Sequence, residues 1–155
     1  MYNQIAPGYD ELYKEEQLKK LKVISEILKV NKNDKLLDIG CGTGISTNYF
    51  DCISVGIDPS KEMIKLGKGD LRLGNAENLE FEDHSFDIIL SLTAIQNFSD
   101  IEKSLQEIER VMKDKLVISC LKKSSKIDNV RKLINIYFKD IKEIEEEKDI
   151  IFYLV

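Results

Sequence analysis

Apolar residues recur along the chain with two alternating spacings, that of a helix and that of a buried strand. The spacing predicts helices over 15–30, 44–50, 61–68, 100–112 and 127–138, and strands over 35–39, 52–57, 70–74, 85–92, 115–121, 140–145 and 150–155. Ser60 is the expected N-cap of the third helix, and Ser99 or Asp100 that of the fourth. Strands that alternate with helices predict an α/β domain with a parallel sheet covered on both faces.

The first predicted strand ends in an acid and continues into a turn with glycine at every second position. Asp38 is followed by Gly40, Gly42 and Gly44. Glycines remove Cβ atoms and permit positive φ, so the backbone of such a turn can lie directly against a ligand. A carboxylate at this position is costly to bury unless a positive or hydrogen-bonding group meets it. The turn therefore predicts a ligand that carries a cationic group.

Composition and charge narrow the classes of function. The 155 residues are predicted to form one domain, and their net charge of -5 gives no general attraction to nucleic acid or anionic membrane. No apolar run approaches the ~18 residues that span a bilayer, and the first four residues lack the features of a signal peptide. The three cysteines, an odd number, suggest reduced thiols and a cytoplasmic location, and because their spacing matches no zinc pattern we expect no metal.

Two kinds of nucleotide ligand compete for the glycine turn. A dinucleotide would need G-x-G-x-x-G, with an acid about 20 residues further on for the ribose. Asp58 suits the ribose, but the third glycine follows the second by two residues instead of three. Asp38 would also repel a pyrophosphate. A ligand with a ribose, an ammonium and no phosphate suits both acids, and S-adenosylmethionine is such a ligand.

Four motifs in order, within residues 2–121, resemble those of class I S-adenosylmethionine-dependent methyltransferases of the type 11 kind. Residues 38–44 match E/D-x-G-x-G-x-G, and residues 56–60 match G-x-D-x-S. Residues 75–81 resemble the D-A-E-x-L-P-F segment with Asn75 at its head, and residues 85–91 resemble the S-F-D strand. The resemblance implies a doubly wound, Rossmann-like, mostly parallel sheet of seven strands. It also implies the strand order 3-2-1-4-5-7-6, an antiparallel last strand and helices on both faces.

The resemblance implies which residues bind S-adenosylmethionine and release S-adenosylhomocysteine. They belong to the N-terminal segment, the glycine turn, the ribose acid, the adenine segment and the fourth strand, and are Tyr9, Asp38, Gly40, Cys41, Gly42, Thr43, Gly44, Asp58, Pro59, Asn75, Ala76, Glu77 and Ser91. Residues 1–14 look like the family's lid over the cofactor, although Tyr2 and Tyr9 could simply pack on the surface. Cys41 is expected to contribute its backbone and not a nucleophile.

The methyl acceptor is specified less well than the cofactor. In the family, the residues after the fourth strand, here 91–98, usually face the methyl group. Gln96 and Asn97 could hold an acceptor by hydrogen bonds or could cap the next helix, and Tyr2 is a further candidate for substrate binding. The N-P-P-Y motif of amino-group methylation on adenine or glutamine is absent. The atom methylated, the catalytic residues and the use of a general base stay open, and His84 is expected in a solvated turn.

The same stretch also resembles that of RNA-modifying members that work with a small activating subunit. We therefore expect an open site that accepts RNA or protein, or one that is completed by a partner subunit or by a second copy in a homodimer. The acidic net charge does not support unaided RNA binding. A small-molecule methyltransferase is the alternative, and an inactive cofactor-binding scaffold is the alternative from another class. The basic residues between 122 and 132 could dock a substrate or form a solvated helix face.

Overall fold

The computed structural model describes the backbone of residues 7–155 and the side chains of residues 11–155. Its elements are α1 (Pro7–Ile27), β1 (Lys35–Ile39), β2 (Ile53–Asp58), α2 (Lys61–Leu66), β3 (Leu71–Leu73), β4 (Phe86–Leu92), α3 (Ile101–Val111), β5 (Met112–Leu121), α4 (Ile127–Tyr137), β6 (Lys142–Glu145) and β7 (Asp149–Leu154). One turn of 3-10 helix (Ile95–Asn97) precedes α3. The predictions for Tyr2 and for the Tyr9 side chain lie outside the described residues.

The seven strands form one sheet in the predicted order β3-β2-β1-β4-β5-β7-β6. The strands β1 to β5 are parallel, whereas β7 is antiparallel to both of its neighbours, β5 and β6. From β1 the chain moves outward to β2 and β3 and then returns to β4 on the other side of β1. The carboxyl ends of β1 and β4 therefore form the switch point at which doubly wound sheets bind ligands.

Apolar side chains fill both faces of the sheet. Leu37 and Ile89 belong to the cluster that α3 and α4 cover, whereas Leu36 and Ile88 belong to the cluster that α1 covers. Because successive side chains of a strand point to opposite faces, each central strand contributes to both clusters. The prediction of helices on both faces is confirmed. No helix in the described part of the chain has both the length and the apolar character that a bilayer span requires.

The predicted helix over residues 44–50 is wrong, because this segment forms a series of turns. Its hydroxyl and amide side chains form hydrogen bonds that fix this conformation. Ser46 and Thr47 donate to the Asp38 carboxylate, and Asn48 donates to the carbonyl groups of Gly44 and Lys68. Such side-chain bonds compete with helical ones. The segment is therefore shaped by the buried acid of β1 and not by its own apolar spacing.

Helix α1 begins eight residues earlier than predicted, at Pro7, a residue that suits a first helical position because it has no N–H to leave unpaired. Met112, predicted as the end of a helix, instead begins β5 and pairs with Phe86. Ser60 caps α2 as predicted, accepting from the Met63 N–H at 3.3 Å. Of the two candidates for α3, Asp100 is the cap, and it accepts from the Lys103 N–H at 3.0 Å.

Candidate functional site

A cavity of about 370 Å³ lies at the carboxyl ends of the central strands. Its volume falls within the range of about 300–1,000 Å³ that is usual for small-molecule sites. The walls contain residues of three of the five predicted cofactor segments and one predicted substrate residue: Gly40, Gly42, Asp58, Pro59, Asn75, Ala76, Glu77 and Asn97. These segments are far apart in sequence and meet because parallel strands bring their carboxyl ends to one edge.

The glycine turn depends on glycine at the cavity wall. Gly40 and Gly42 have φ values of 77° and 57°, a region that other residues rarely adopt. A Cβ atom on Gly40 would lie 2.6 Å from the Cβ of Ala94 in the loop after β4. The turn and this loop can therefore approach each other only because Gly40 has no side chain.

The Asp58 carboxylate is held at the wall by backbone donors. The Gly42 N–H donates to Oδ2 at 2.9 Å, and the Ser60 N–H donates to Oδ1 at 2.8 Å. An ionised carboxylate has about four acceptor positions, so lone pairs remain on both oxygens. The carboxylate can therefore accept both hydroxyls of a vicinal diol in the cavity.

Asp38 is not among the residues that line this cavity; it is fully buried behind the glycine turn. Its Oδ2 accepts from the hydroxyls of Ser46 and Thr47, whereas Oδ1 has no hydrogen-bond partner among the described residues. Burial raises the pKa of Asp38 to about 6, although the two hydroxyls act in the opposite direction. At neutral pH the carboxylate is thus charged, with one oxygen lacking a donor. Its contact with a cationic ligand group stays a prediction.

The other predicted residues of the described chain lie off the cavity wall. Thr43 and Gly44 line a neighbouring groove instead. Burial, followed by the charges of Asp38 and Asp58, raises the pKa of the Cys41 thiol, which therefore stays protonated and is a poor nucleophile. Ser91 donates to the Ile39 carbonyl at 2.7 Å and so ties β4 to β1. Gln96 is buried and donates to the Thr93 carbonyl at 2.9 Å.

Glu77 lines the cavity, but its carboxylate also anchors the start of α3. It accepts from the Ser99 hydroxyl at 2.8 Å and from the Asp100 N–H at 3.1 Å. Burial alone would raise the pKa of Glu77, but these hydrogen bonds outweigh it and lower that pKa. Asn75, at the head of the same segment, is exposed. The Asn75 amide is therefore better placed than the Glu77 carboxylate to meet a ligand.

Sequence reasoning missed several wall residues, among them Met63 and Gly74, and placed Tyr13 only within the proposed lid of residues 1–14. Tyr13 lies on α1, before the predicted start of that helix, and its hydroxyl accepts from Gln17 Nε2 at 2.8 Å. Tyr13, Gln17 and Lys20 continue, at helical spacing, the buried stripe that Ile24 and Leu28 form further along α1. The sequence signal that these residues face the protein interior was therefore their helical spacing with the apolar stripe, which begins with polar side chains.

A groove of about 830 Å³ adjoins the cavity and shares Tyr13 and Met63 with it. Several of its other lining residues are apolar, among them Leu18, Ile45 and Leu66. Leu66 is 66% exposed, so the groove presents apolar surface to its surroundings. The cavity thus has an apolar extension beside the glycine turn.

Residues 37–118, more than half of the chain, match the methyltransferase domain family. The match includes the glycine turn, Asp58, the adenine segment and the whole of β4. The chain belongs to this family. The family implies S-adenosylmethionine as the cofactor.

Two curated relatives and one solved structure illustrate the similarity. An uncharacterised protein of Methanocaldococcus jannaschii is 35% identical over 119 residues, which cover 73% of this chain and 46% of that protein. The demethylmenaquinone methyltransferase of Thermotoga maritima is 32% identical over 130 residues, covering 74% of this chain and 56% of that enzyme. This chain therefore spans about half the length of these relatives.

The solved structure is the complex between the Haloferax volcanii Trm112 methyltransferase activator and a protein described as a methyltransferase. Its TM-score is 0.75 at 16% identity, and the match covers 96% of this chain and 94% of that chain. At this identity the likeness concerns the fold alone.

Proposed function

We propose that this chain binds S-adenosylmethionine in the cavity and transfers its methyl group to an acceptor held beside the loop after β4. The observation that carries the proposal is the meeting of Gly40, Gly42 and Asp58 on one wall of that cavity. Such a wall offers bare backbone next to a carboxylate with free lone pairs. Membership of the methyltransferase domain family supports the same function.

The residues fit the successive parts of the cofactor. The Asp58 carboxylate would accept the ribose hydroxyls, and the exposed Asn75 would bond the adenine edge. The backbone of the glycine turn would lie against the methionine part, since Gly40 and Gly42 present no side chain at the cavity wall. The unpartnered Oδ1 of Asp38 suits the ammonium at that end. When bound, the cofactor supplies a methyl group on a sulfonium whose departure leaves a neutral thioether.

The chain's own contribution to the transfer is positioning. Holding an acceptor in line with a reactive group can supply about 7–11 kcal/mol of the barrier. Leu92, Ala94 and Asn97 line the cavity in and after β4, where an acceptor would be held. Leu92 and Ala94 would exclude water, whereas the Asn97 amide would orient the acceptor by a hydrogen bond. A general base is required only if the acceptor atom carries a proton at the working pH.

For the acceptor we favour RNA or protein, reached together with a partner subunit. The fold likeness to the methyltransferase of the Trm112 complex extends over nearly the whole of both chains. A net charge of -5 makes unaided RNA binding unfavourable, and a partner could supply the missing positive surface.

A small apolar acceptor is the second candidate, and the groove beside the cavity favours it. The groove shares Tyr13 and Met63 with the cavity, so an apolar body lying in it would reach the wall of the cofactor site. The similarity to a demethylmenaquinone methyltransferase points in the same direction.

The test combines ligand binding with transfer of a labelled methyl group. In calorimetry, S-adenosylmethionine and S-adenosylhomocysteine should bind and NAD should not. The protein is then incubated with methyl-labelled cofactor and separated RNA, protein, lipid and polar metabolite fractions, with the Asp58→Ala variant as the matched negative control. Label in RNA or protein supports the favoured acceptor, and label in lipid supports the second candidate. Binding without label in any fraction would indicate an inactive scaffold, and absent binding would overturn the proposal.

A further inference from the structure

A buried polar cluster lies beside the loop that follows β4, and we call it the Lys20 cluster (Lys20, Thr93, Ser119 and Asp149). Lys20 of α1 is 2% exposed and Asp149 of β7 is 0% exposed, and their Nζ and Oδ1 atoms are 3.5 Å apart. Oδ2 of Asp149 accepts from the hydroxyls of Thr93 and Ser119, both at 2.7 Å. The cluster thus joins α1, β5 and β7 to the loop after β4.

Stability alone does not account for this arrangement. Burying an ion pair requires the removal of both charges from water, and well-packed apolar residues in its place are often as stable or more so. Further along the same helix, Ile24 and Leu28 fill the equivalent buried positions with apolar side chains. Lys20 and Asp149 form their ion pair at the point where α1 passes the loop after β4.

The cluster holds Thr93 in an unfavourable conformation. Thr93 has a φ of 55°, in the left-handed region that β-branched residues avoid. Lys20 Nζ donates to its hydroxyl at 2.9 Å, and that hydroxyl donates to Asp149. The Thr93 N–H donates to the hydroxyl of Ser119 at 2.9 Å and to its carbonyl at 3.1 Å. Among the described residues, the polar contacts of Thr93 come from the cluster and from Gln96, which donates to the Thr93 carbonyl.

Thr93 determines where the next residues lie. Ala94 follows it and occupies the space that a side chain on Gly40 would need. Thr93, Ala94 and Asn97 all line the cavity. The conformation of Thr93 therefore sets the distance between the glycine turn and the loop that faces it.

We infer that Lys20 and Asp149 are positioning residues for methyl transfer. Acting through Thr93, they hold Ala94 and Asn97 where an acceptor meets the methyl group, and neither needs to touch cofactor or acceptor. The inference rests on the proposed function for its catalytic consequence. Its geometric part, the anchoring of residues 93–98 by the cluster, holds for the unliganded protein as well.

Three variants separate positioning from stability. Lys20→Met leaves the Asp149 carboxylate buried without its cation and should lower the melting temperature. The double variant, Lys20→Met with Asp149→Leu, replaces the pair by apolar side chains and should restore the melting temperature. It also removes both partners of the Thr93 hydroxyl. Thr93→Val removes that hydroxyl and leaves the ion pair in place. Lys19→Met is the matched control, because Lys19 precedes Lys20 on α1 and pairs with Glu147 in exposed positions.

Hydrogen exchange and transfer kinetics provide the readouts. Amides of residues 93–98 should exchange at least tenfold faster in the double variant and in Thr93→Val, and at the wild-type rate in Lys19→Met. Affinity for S-adenosylhomocysteine should fall less than the transfer rate at saturating cofactor, which should fall tenfold or more. Wild-type exchange of residues 93–98 in both Thr93→Val and the double variant would overturn the inference. So would equal losses of affinity and rate. If wild-type protein binds no S-adenosylhomocysteine, the proposed function fails, and the exchange rates still decide whether the cluster anchors the loop.

Discussion

The backbone N–H of Gly42 donates to Oδ2 of Asp58 at 2.9 Å, which joins the turn after β1 to the carboxylate at the end of β2. Both residues line the same cavity. The glycine turn therefore does more than make room for a ligand, because its conformation also fixes the direction of the carboxylate. The two motifs act as one unit, so a substitution in either should change the affinity for the cofactor.

Removal of the Asp58 carboxylate should eliminate most of the cofactor affinity. Asp58→Ala deletes the acceptor for two ribose hydroxyls and leaves the Gly42 N–H without its partner. Hydrogen bonds to charged groups contribute about 1.5–3 kcal/mol each, so the affinity for S-adenosylhomocysteine should fall about 100-fold or more. Calorimetry measures this, with Asp70→Ala as the control, since Asp70 is an exposed carboxylate paired with Arg72. Wild-type affinity in Asp58→Ala would contradict the ribose assignment.

Gly40→Ala should destabilise the protein as well as weaken binding. The new Cβ atom would lie 2.6 Å from that of Ala94, at a φ of 77°. Overpacking costs about 1–3 kcal/mol and the left-handed conformation about 1–2 kcal/mol, so the free energy of unfolding should fall by at least about 2 kcal/mol in urea titrations. Adding Ala94→Gly should recover the part due to the clash and leave the part due to φ.

Gly74→Ala is the matched control for that measurement. Gly74 has no positive φ, and a Cβ atom there would lie 3.5 Å from Ile57, an ordinary contact. Its free energy of unfolding should stay within about 0.5 kcal/mol of wild type. If both variants behave alike, the close approach between Gly40 and Ala94 is not what requires glycine.

The order of the strands and the motif residues on the cavity wall could be predicted because they depend on local signals. Gly40, Asp58 and Asn75 each follow a strand, and a parallel sheet necessarily brings such positions together. The turns of residues 44–50 could not be predicted, because apolar spacing carries no information about hydroxyls that bond a distant acid. Ser46 and Thr47 serve Asp38 instead of a helix.

The Lys20 cluster could not be predicted for a different reason. A lysine on a helix is almost always solvent-exposed, so the helical spacing that puts Lys20 in line with Ile24 does not by itself show that it is buried. Its partner Asp149 follows a turn near the other end of the chain, where an acid is equally ordinary. Only the packing of α1 across β4, β5 and β7 brings the two charges together. The spacing along α1 gives the face on which Lys20 lies, but the partner of Lys20 is determined by tertiary structure.

Arg110→Lys should loosen the end of the adenine segment and the residues that follow it. Arg110 donates to the carbonyl groups of Leu79 and Phe81 and to the carboxylates of Asp83 and Glu107. Hydrogen bonds with Glu107 first, and then with Asp83, raise the pKa of Arg110, so it stays charged. Lysine has no planar fork and cannot keep all four partners. The free energy of unfolding should fall by about 1–3 kcal/mol.

Amide exchange around residues 79–83 should also rise in Arg110→Lys. Arg72→Lys is the control, because Arg72 pairs with Asp70 at exposed positions, where such pairs contribute about 0–1 kcal/mol. Equal effects of the two substitutions on unfolding would show that the four-partner arrangement of Arg110 adds nothing to an ordinary surface pair.

Asp38 should make the protein less stable as the pH rises from 4 to 7. Burial raises its pKa from 3.8 to about 6, so the folded state holds the proton more tightly than the unfolded state does. The resulting stabilisation is complete below pH 4 and is lost as the pH passes 6, a difference of roughly 3 kcal/mol. Asp38→Asn has no proton to lose, so its free energy of unfolding in urea should exceed that of wild type at pH 7, and the difference should shrink towards pH 4.

In the control Asp70→Asn the variant should instead be less stable than wild type above pH 4, because Arg72 lowers the pKa of Asp70 and the charge of Asp70 stabilises the folded state there. A constant difference between wild type and Asp38→Asn across this range would show that the Asp38 carboxylate keeps its ordinary pKa despite burial.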